Sequence, residues 1–325
     1  MATPRGKNVH PASARSLRAA AARLRRGELV AFPTETVYGL GANALDEKAV
    51  AKIFAAKGRP PDNPIIVHVS DQKMLRKVAR RVPARAKKLI ARFWPGPLTL
   101  ILSKKSLVPS LVTAGLDTVA VRMPQGLARD LVRLAGVPIA APSANVSGRP
   151  SPTTAAHVAE DFPDVFVLDG GPTAHGLEST VVALVPYPVV LRQGALSEES
   201  LRKMIPGLRR SPSGGRHAAQ SPGTRYVHYA PSRPLILFLR KSSLLSYAKA
   251  HPKVLVLCST SLSSLFPKQR ILPLGDSPKE IARNLFAALR TRRRGTGLLA
   301  LAIPRRGIGR AVMDRLTRAA TRIVP

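Results

Sequence analysis

The chain has 325 residues and carries 52 Lys and Arg against 18 Asp and Glu, a formal charge of +34. Its length exceeds one average domain, so two are expected, and a mean hydropathy of +0.01 suits a globular protein. No run of about 18 uncharged apolar residues occurs, which argues against a helical membrane span, and arginines break the alanine-rich start, which argues against a signal-peptide core. In chain order, residues 13–26 read as a helix stopped by Gly27, and ELVAF (28–32) as a strand running into the polar cluster Thr34-Glu35-Thr36. Asp46 stands where an N-cap is expected, Val50, Ile53 and Phe54 keep helical spacing as far as Lys57, and Gly58 with Pro60 ends that helix. PIIVHV (64–69) is the next strand, then one basic helix around 73–92, then the strand LTLIL (98–102).

TVAVRM (118–123) alternates, which places Thr118, Ala120 and Arg122 on one face and Val119, Val121 and Met123 on the other. VPIAA, VFVL, STVVAL and PVVLR supply further strands, with helices near 126–135 and 154–161. Strands and helices interleave, so residues 12–205 are expected to form an α/β domain. Its many short strands and prolines argue against a regular doubly wound sheet. A Pro, Ser, Gly, Arg and Gln-rich stretch opens a linker, assigned to 206–231. Residues 232–325 then form a smaller α/β domain, with PLILFL, VLVLC and LLALAI as buried strands and helices at 278–290 and 309–322. Cys258, the single cysteine, sits in VLVLC and reads as a buried thiol in a reducing compartment, which points to the cytoplasm.

The positive charge attracts polyanions and favours contact with nucleic acid, without making nucleic acid the substrate. Aromatic residues are only 4%, too few for base-stacking platforms, and zinc-finger, RNA-recognition and basic-zipper patterns are absent. A solvated basic surface is the plainer reading. The terminal helix sets Arg315, Arg318 and Arg322 at one-face spacing, either as a solvated face or as an RNA contact. There is no Walker A sequence, no zinc-type pairing of Cys or His and no G-x-S-x-G elbow. GIGRAV (307–312) follows a strand and opens a helix, but it lacks the last glycine of a dinucleotide loop and has no expected strand after it.

Polar residues recur at the strand ends of the first domain, where open α/β sheets place ligands. PTETVYGLG (33–41) is either a strand-to-loop turn with capping hydroxyls or part of a site. In KGRPPDNP (57–64), Lys57 and Arg59 either complement a helix C-terminus or clamp phosphate, for which arginine gives a bidentate fork and lysine a point charge. His68, by itself, reads as a hydrogen-bonded core histidine ahead of a ligand contact. Arg122, inside a strand, needs an ion-pair partner or a cleft that holds an anion. APSANVSGRPSPT (141–153) gathers hydroxyls and an amide that either cap the next helix or, through Ser143 and Asn145, face a ligand. Ser179 and Arg192 repeat the pattern at the ends of their strands.

Taken in order, PTETVYGLG, KGRPPDNP, TVAVRMP, APSANVSGRPSPT, STVV, LRQGA, SPGTRYVHYAP (221–231), LFAALR and GIGRAVMDRLTRAA cover nearly the whole chain. In them the sequence resembles the YrdC family, in the long two-domain form of threonylcarbamoyl-AMP synthase. The resemblance implies a twisted mixed α/β sheet with a basic concave face, joined to a smaller Rossmann-like α/β domain. It also implies a nucleotidyltransferase reaction in which L-threonine, bicarbonate and ATP, with Mg2+, give threonylcarbamoyl-adenylate and pyrophosphate. The product passes to a separate threonylcarbamoyl transferase that modifies tRNA; whether this chain also makes a weak direct contact with tRNA stays open. By motif position, Lys57 and Arg59 are catalytic. Together with Asn63, Thr118, Ser143, Asn145, Ser151, Arg192 and Tyr229 they surround ATP. Thr36, His68, Arg122 and Ser179 hold threonine, and Tyr226 and His228 help close the pocket. No protein-held metal is implied.

Three positions depart from the family pattern: Ile65 for leucine after NP, Ala183 for an acidic residue after STVV, and Gln193 for proline in LRPGA. The last two lie beside the expected pocket. A basic pocket with no evident nucleophile suits catalysis by positioning and electrostatics. One rival is a basic module that grips tRNA or double-stranded RNA without making the adenylate; a shape reader of RNA has no need of this lysine, arginine, serine and asparagine set. Another is a carbamoyl-phosphate enzyme, which would carry zinc-finger and acylphosphatase-like segments that this chain lacks.

Overall fold

The structure, a computed structural model, describes residues 7–211 and 228–325. They divide into two units. One takes in the chain up to Ser147, Pro152–Ala174 and the stretch from Glu178; the other takes in Gly148–Ser151, His175–Leu177 and the chain from residue 228.

The first unit is built on eleven strands: Val9–Pro11 (β1), Val30–Pro33 (β2), Tyr38–Asn43 (β3), Ile66–His68 (β4), Leu98–Ser103 (β5), Thr118–Arg122 (β6), Ile139–Ala140 (β7), Phe166–Asp169 (β8), Thr180–Ala183 (β9), Val189–Arg192 (β10) and Arg209–Arg210 (β11). They hydrogen-bond in the order β1-β8-β2-β3-β7-β4-β6-β5-β9-β10-β11. The sheet is mixed: β4 and β6 are parallel, as are β5 and β9, while β5 runs against β6 and β10 against β9. Side chains of a strand alternate between faces. One face of β4, β6, β5 and β9 gives Val67, Val119, Val121, Leu100, Leu102 and Val182 to the main core. The other gives Ile66, Ala120, Ile101, Val181 and Ala183 to a second, smaller apolar cluster. The alternation expected for residues 118–123 is thus realised.

Local sequence explains the helices that set up the site. Ala14–Arg25 (α1) begins in a reciprocal capping box between Ser13 and Ser16. In Glu47–Lys57 (α2) the Asp46 carboxylate accepts from Ala49 N at 3.1 Å, and Gly58 ends the helix at φ +57°, a left-handed conformation that costs glycine little. Lys57 is therefore the last helical residue, turned inward and only 2% exposed.

Several expectations need correction. The basic stretch 73–92 forms two helices, Gln72–Val78 (α3) and Ala84–Phe93 (α4), separated at Pro83. Proline donates no hydrogen bond and pushes the residue before it out of helical geometry. PTETVYGLG is more than a turn: Tyr38–Asn43 is a strand paired antiparallel to β2, and only residues 34–37 turn. Arg209–Arg210, within the stretch read as linker, pair parallel with β10.

The second unit has an all-parallel sheet formed by Leu235–Phe238 (β12), Leu255–Cys258 (β13), Ile271–Pro273 (β14), Leu298–Leu301 (β15) and Arg322–Val324 (β16). Its strand order is β14-β13-β15-β12-β16. In the usual dinucleotide-binding order the first strand lies beside the second; here β15 stands between β12 and β13. A strand does follow GIGRAV, contrary to expectation, but β16 joins β12 rather than β15. Ser110–Thr113 (α5), Gly126–Ala135 (α6), Ala155–Asp161 (α7) and Glu198–Arg202 (α8) are further helices of the first unit, and Lys241–Ala250 (α9), Thr260–Ser263 (α10), Pro278–Leu289 (α11) and Gly309–Ala319 (α12) belong to the second. Arg315 does not belong to a solvated face: it is fully buried on α12, with its guanidinium 5.2 Å from the Tyr229 ring centroid, and Arg322 lies in β16. Cys258 is buried, which pushes its thiol up to about 11.

Candidate active site

Strand polarity brings one set of polar residues to one end of the second sheet face. His68 and Arg122 end the parallel strands β4 and β6 and stand in register. Thr99 lies opposite Arg122 across the antiparallel β5. Ser179 immediately precedes β9, and Arg192 ends β10 beside Val181. Residues from 68 to 192 thus meet because parallel partners end together and antiparallel ones begin where their neighbours end.

Arg122 is the centre of this end. Its Nη1 donates to Thr36 Oγ1 at 2.8 Å, its Nε to Gly96 O at 3.2 Å, and its Nη2 pairs with Glu35 Oε1 at 2.6 Å. The pair is nearly dry, with side chains 4% and 7% exposed. Burial alone would push the Glu35 carboxyl up; the Arg122 guanidinium and the Gln125 N–H outweigh it and hold the group below the usual carboxylate range. Thr36 Oγ1 also meets Thr34 Oγ1 at 2.6 Å, and Thr34 Oγ1 donates to Val37 O at 2.7 Å. The turn between β2 and β3 is therefore fixed against β6. His68 lies edge-on to Phe32, with centroids 6.3 Å apart, and its Nδ1 makes no hydrogen bond among the described residues. Burial, and then the Arg122 charge, push its imidazole down to about 3, so it is neutral at neutral pH.

Beyond Thr99, Ser179 Oγ lies 2.7 Å from Thr99 Oγ1 and accepts from Arg192 Nη2 at 3.2 Å. Arg192 also donates from Nε and Nη2 to Ser179 O. Gly194 permits this close packing: a Cβ there would overlap backbone atoms of Glu178, Ser179 and Thr180. Gly194→Ala is expected to displace Ser179 and Arg192 together and to lower kcat/KM by at least tenfold. Steady-state kinetics of the variant checks it; an unchanged value would show that this approach is not needed.

The second part of the site is a cationic loop. Lys57 Nζ donates to Ser143 O at 2.6 Å and to Asn145 O, while Ser147 N donates to Lys57 O at 2.9 Å. Arg59 donates to Asn63 O and Pro64 O within its own loop. Burial and then the Arg192 charge lower the Arg59 pKa to about 10, with Asp62 opposing. Arg59 and Arg192 thus feel one another's charge, and the Asp62 carboxylate offsets part of that repulsion. The loops carrying Lys57, Arg59, Asn63, Ser143 and Asn145 form one hydrogen-bonded cluster.

Thr36, His68, Arg122 and Ser179 also come together, joined by Arg192. Thr118 shares the face of Arg122 but stands at the opposite end of β6, beside Ser103. Ser151 is buried within the segment grouped with the second unit. Tyr229 packs in that unit on Phe286, at 5.2 Å between centroids, next to His228. Tyr226 lies outside the described residues. Glu35, Thr99 and Thr34 were not singled out as site residues by the sequence reading. An acid directly beside Thr36 was the available signal for Glu35; Thr99, inside an apolar strand, offered none. Gln193 turns its amide to Glu198 Oε2 at 3.0 Å.

Among the described residues no helix is long and apolar enough to cross a membrane. A family model described as telomere recombination, covering the Sua5, YciO and YrdC proteins, matches residues 22–194. A second, described as the C-terminal domain of threonylcarbamoyl-AMP synthase, matches residues 196–321. A protein named threonylcarbamoyl-AMP synthase from Pyrococcus abyssi is 48% identical over 322 residues, 93% of each chain. One of the same name from Bacillus subtilis is 43% identical over 317 residues, 93% of this chain and 92% of its own. A crystal structure of Pyrococcus abyssi Sua5 complexed with L-threonine superposes with a TM-score of 0.90 at 46% identity, over 97% of this chain and 98% of that one. The chain belongs to the Sua5–YciO–YrdC family, in its long form with a C-terminal domain.

Proposed function

We propose that this chain is a threonylcarbamoyl-AMP synthase: a nucleotidyltransferase that makes L-threonylcarbamoyladenylate from L-threonine, bicarbonate and ATP, supplying the intermediate for threonylcarbamoyladenosine in tRNA. The observation that carries this reading is the convergence of a polar strand end, Thr36, His68, Arg122 and Ser179, with the cations Arg192, Arg59 and Lys57. The relatives named above, one of them bound to L-threonine, support it.

In this reading the threonine amine and bicarbonate condense to a carbamate with loss of water. A carbamate oxygen then forms a bond to the α-phosphorus of ATP, and the bond to the bridging oxygen breaks, so that pyrophosphate leaves with the electron pair. Arg122 supplies the positive charge for the amino-acid carboxylate. Neutral His68 adds a polar edge without repelling the amine. Arg59, Arg192 and Lys57 meet charge developing on the phosphates, where fixed cations in a dry site act strongly. No side chain needs to form a covalent intermediate. The donor set is cations, hydroxyls and amides, with Glu35 already paired to Arg122, and does not suit a protein-held divalent ion. We therefore assign magnesium to the phosphates of ATP and route no step through it. A cytoplasmic setting and a downstream transferase acting on tRNA complete the proposal.

Pyrophosphate release from ATP by the purified chain with bicarbonate, with and without L-threonine, tests it. Threonine-dependent release is expected. Release that ignores threonine, or none under any condition, sinks the reading.

A further inference from the structure

We infer that the second unit holds the phosphate backbone of RNA in a basic groove at the amino ends of β14, β13 and β15. The choice of RNA among polyanions rests on the proposed function, whose product is destined for an RNA base.

Charge is distributed unevenly along the chain. Residues 232–325 carry nineteen Lys and Arg against three Asp and Glu, whereas residues 1–231 carry 33 against 15. The shorter segment therefore holds +16 of the +34 in under a third of the length. Its three carboxylates are all committed within the unit. Asp276 accepts from Ser261 N at 3.0 Å, Glu280 caps α11 by accepting from Ser277 N at 2.8 Å, and Asp314 pairs with Arg315 and Arg318. The remaining cations are left with few acids to offset their field, and a field of one sign attracts an opposite polyion.

The groove gives that field a place to act. It is open, about 700 Å³, and presents Lys253, Arg270, Arg293, Arg294 and Thr296, with no carboxylate on its walls. Two of its arginines are held in position: Arg270 donates to Val254 O and Ala248 O at 3.1 and 2.9 Å, and Arg293 Nη1 to Ile271 O at 2.6 Å. Thr296 N donates to Lys253 O at 3.0 Å, tying the loop before β15 to the loop before β13. Gly295 makes this possible, because a Cβ there would come within 2.8 Å of Leu255 Cγ. The arrangement stands at the amino ends of the strands, opposite the carboxyl ends where α/β sheets ordinarily bind small ligands.

The chemistry favours a phosphate backbone over other anionic surfaces. Fourteen of the nineteen cations are arginine, whose planar fork matches phosphate oxygens. No aromatic side chain lines the groove, so bases have nothing to stack on. Nor do the exposed Leu239, Leu265 or Ile323 line it, so an apolar anchor from a lipid or a peptide has no seat there. Contact through phosphates alone predicts binding that is indifferent to sequence and steep in salt.

The test titrates the full chain with a fluorescent tRNA transcript over a range of salt, beside the double variant K253A/R294A. Both side chains are exposed and lie outside the proposed active site. Losing two phosphate contacts is expected to flatten the slope of log K against log salt by roughly 1.8 and to weaken binding about tenfold or more near 0.1 M salt. Threonine-dependent pyrophosphate release should be unchanged, and an unrelated RNA duplex should bind as well as the transcript. Wild-type slope and affinity in the variant would overturn the inference. So would displacement of the RNA by polyglutamate as readily as by competing RNA, which would make the partner an acidic polypeptide. Absence of pyrophosphate release from the wild type would be a failure of the proposed function, read separately from the RNA titration.

Discussion

Arg122→Met is expected to remove activity and to lower the stability of the first unit by about 3–5 kcal/mol, because it strands a charge rather than merely deleting a contact. The Glu35 carboxylate, 7% exposed, has Arg122 as its ion-pair partner. Without the guanidinium, burial raises its pKa and the group must take up a proton or draw in water. A loss of that size lowers the midpoint of a unit this large by about 10 °C, which calorimetry detects. The double variant with Glu35→Gln should recover part of the stability, since an amide tolerates burial better than an unpaired carboxylate, but should recover none of the activity. That split between stability and catalysis separates the ion pair's structural role from its role toward substrate. The pH dependence has a definite sign. The Glu35 carboxyl is held below its ordinary value in the folded chain, so its contribution is present above the unfolded pKa and is lost as pH falls through the folded one. Equal stability of the wild type and Arg122→Met at neutral pH would refute the argument.

The part of this picture that was legible in the sequence is the part governed by local rules. Asp46 and Gly58 fix both ends of α2, and alternation in TVAVR puts Arg122 on the face opposite the main core, so the placement of Lys57 and Arg122 could be read directly. What was not legible depends on pairing between distant segments. Thr99 sits in LTLILS, a strand whose register reads as plain core; only its antiparallel partner β6 and parallel partner β9 show that Thr99 lies between Arg122 and Ser179. Glu35 looks like one hydroxyl-rich turn's stray acid until the turn is seen folded onto β6. Gly194 belongs to a motif, yet its need for no side chain follows from the backbone of residues 178–180 lying against it. Arg315 was misread because one-face spacing says which residues share a side and nothing about what covers that side. Each case turns on long-range register, which carries no local signal.

Lys57→Ala is expected to reduce threonine-dependent pyrophosphate release by at least 100-fold while leaving threonine binding within about threefold of wild type. The two effects separate because different elements carry them. Lys57 ends α2 and donates its ammonium protons to the carbonyls of Ser143 and Asn145, whereas the end proposed to hold threonine is formed by β4, β6, β5, Ser179 and the turn at 34–37. Removing the ammonium leaves buried carbonyls that have lost a charged donor, at a cost of about 1–3 kcal/mol, and the loop carrying Ser143 and Asn145 loses its tether. Alanine also deletes a buried stem, so a second variant is needed. Lys57→Met keeps most of the stem and restores packing without charge. If the ammonium serves ATP, the methionine variant should regain thermal stability and remain inactive, with the defect in kcat and in KM for ATP and little change in threonine affinity measured by calorimetry. A methionine variant that released pyrophosphate at the wild-type rate would reduce Lys57 to a structural post, and the phosphate site would then have to rest on Arg59 and Arg192.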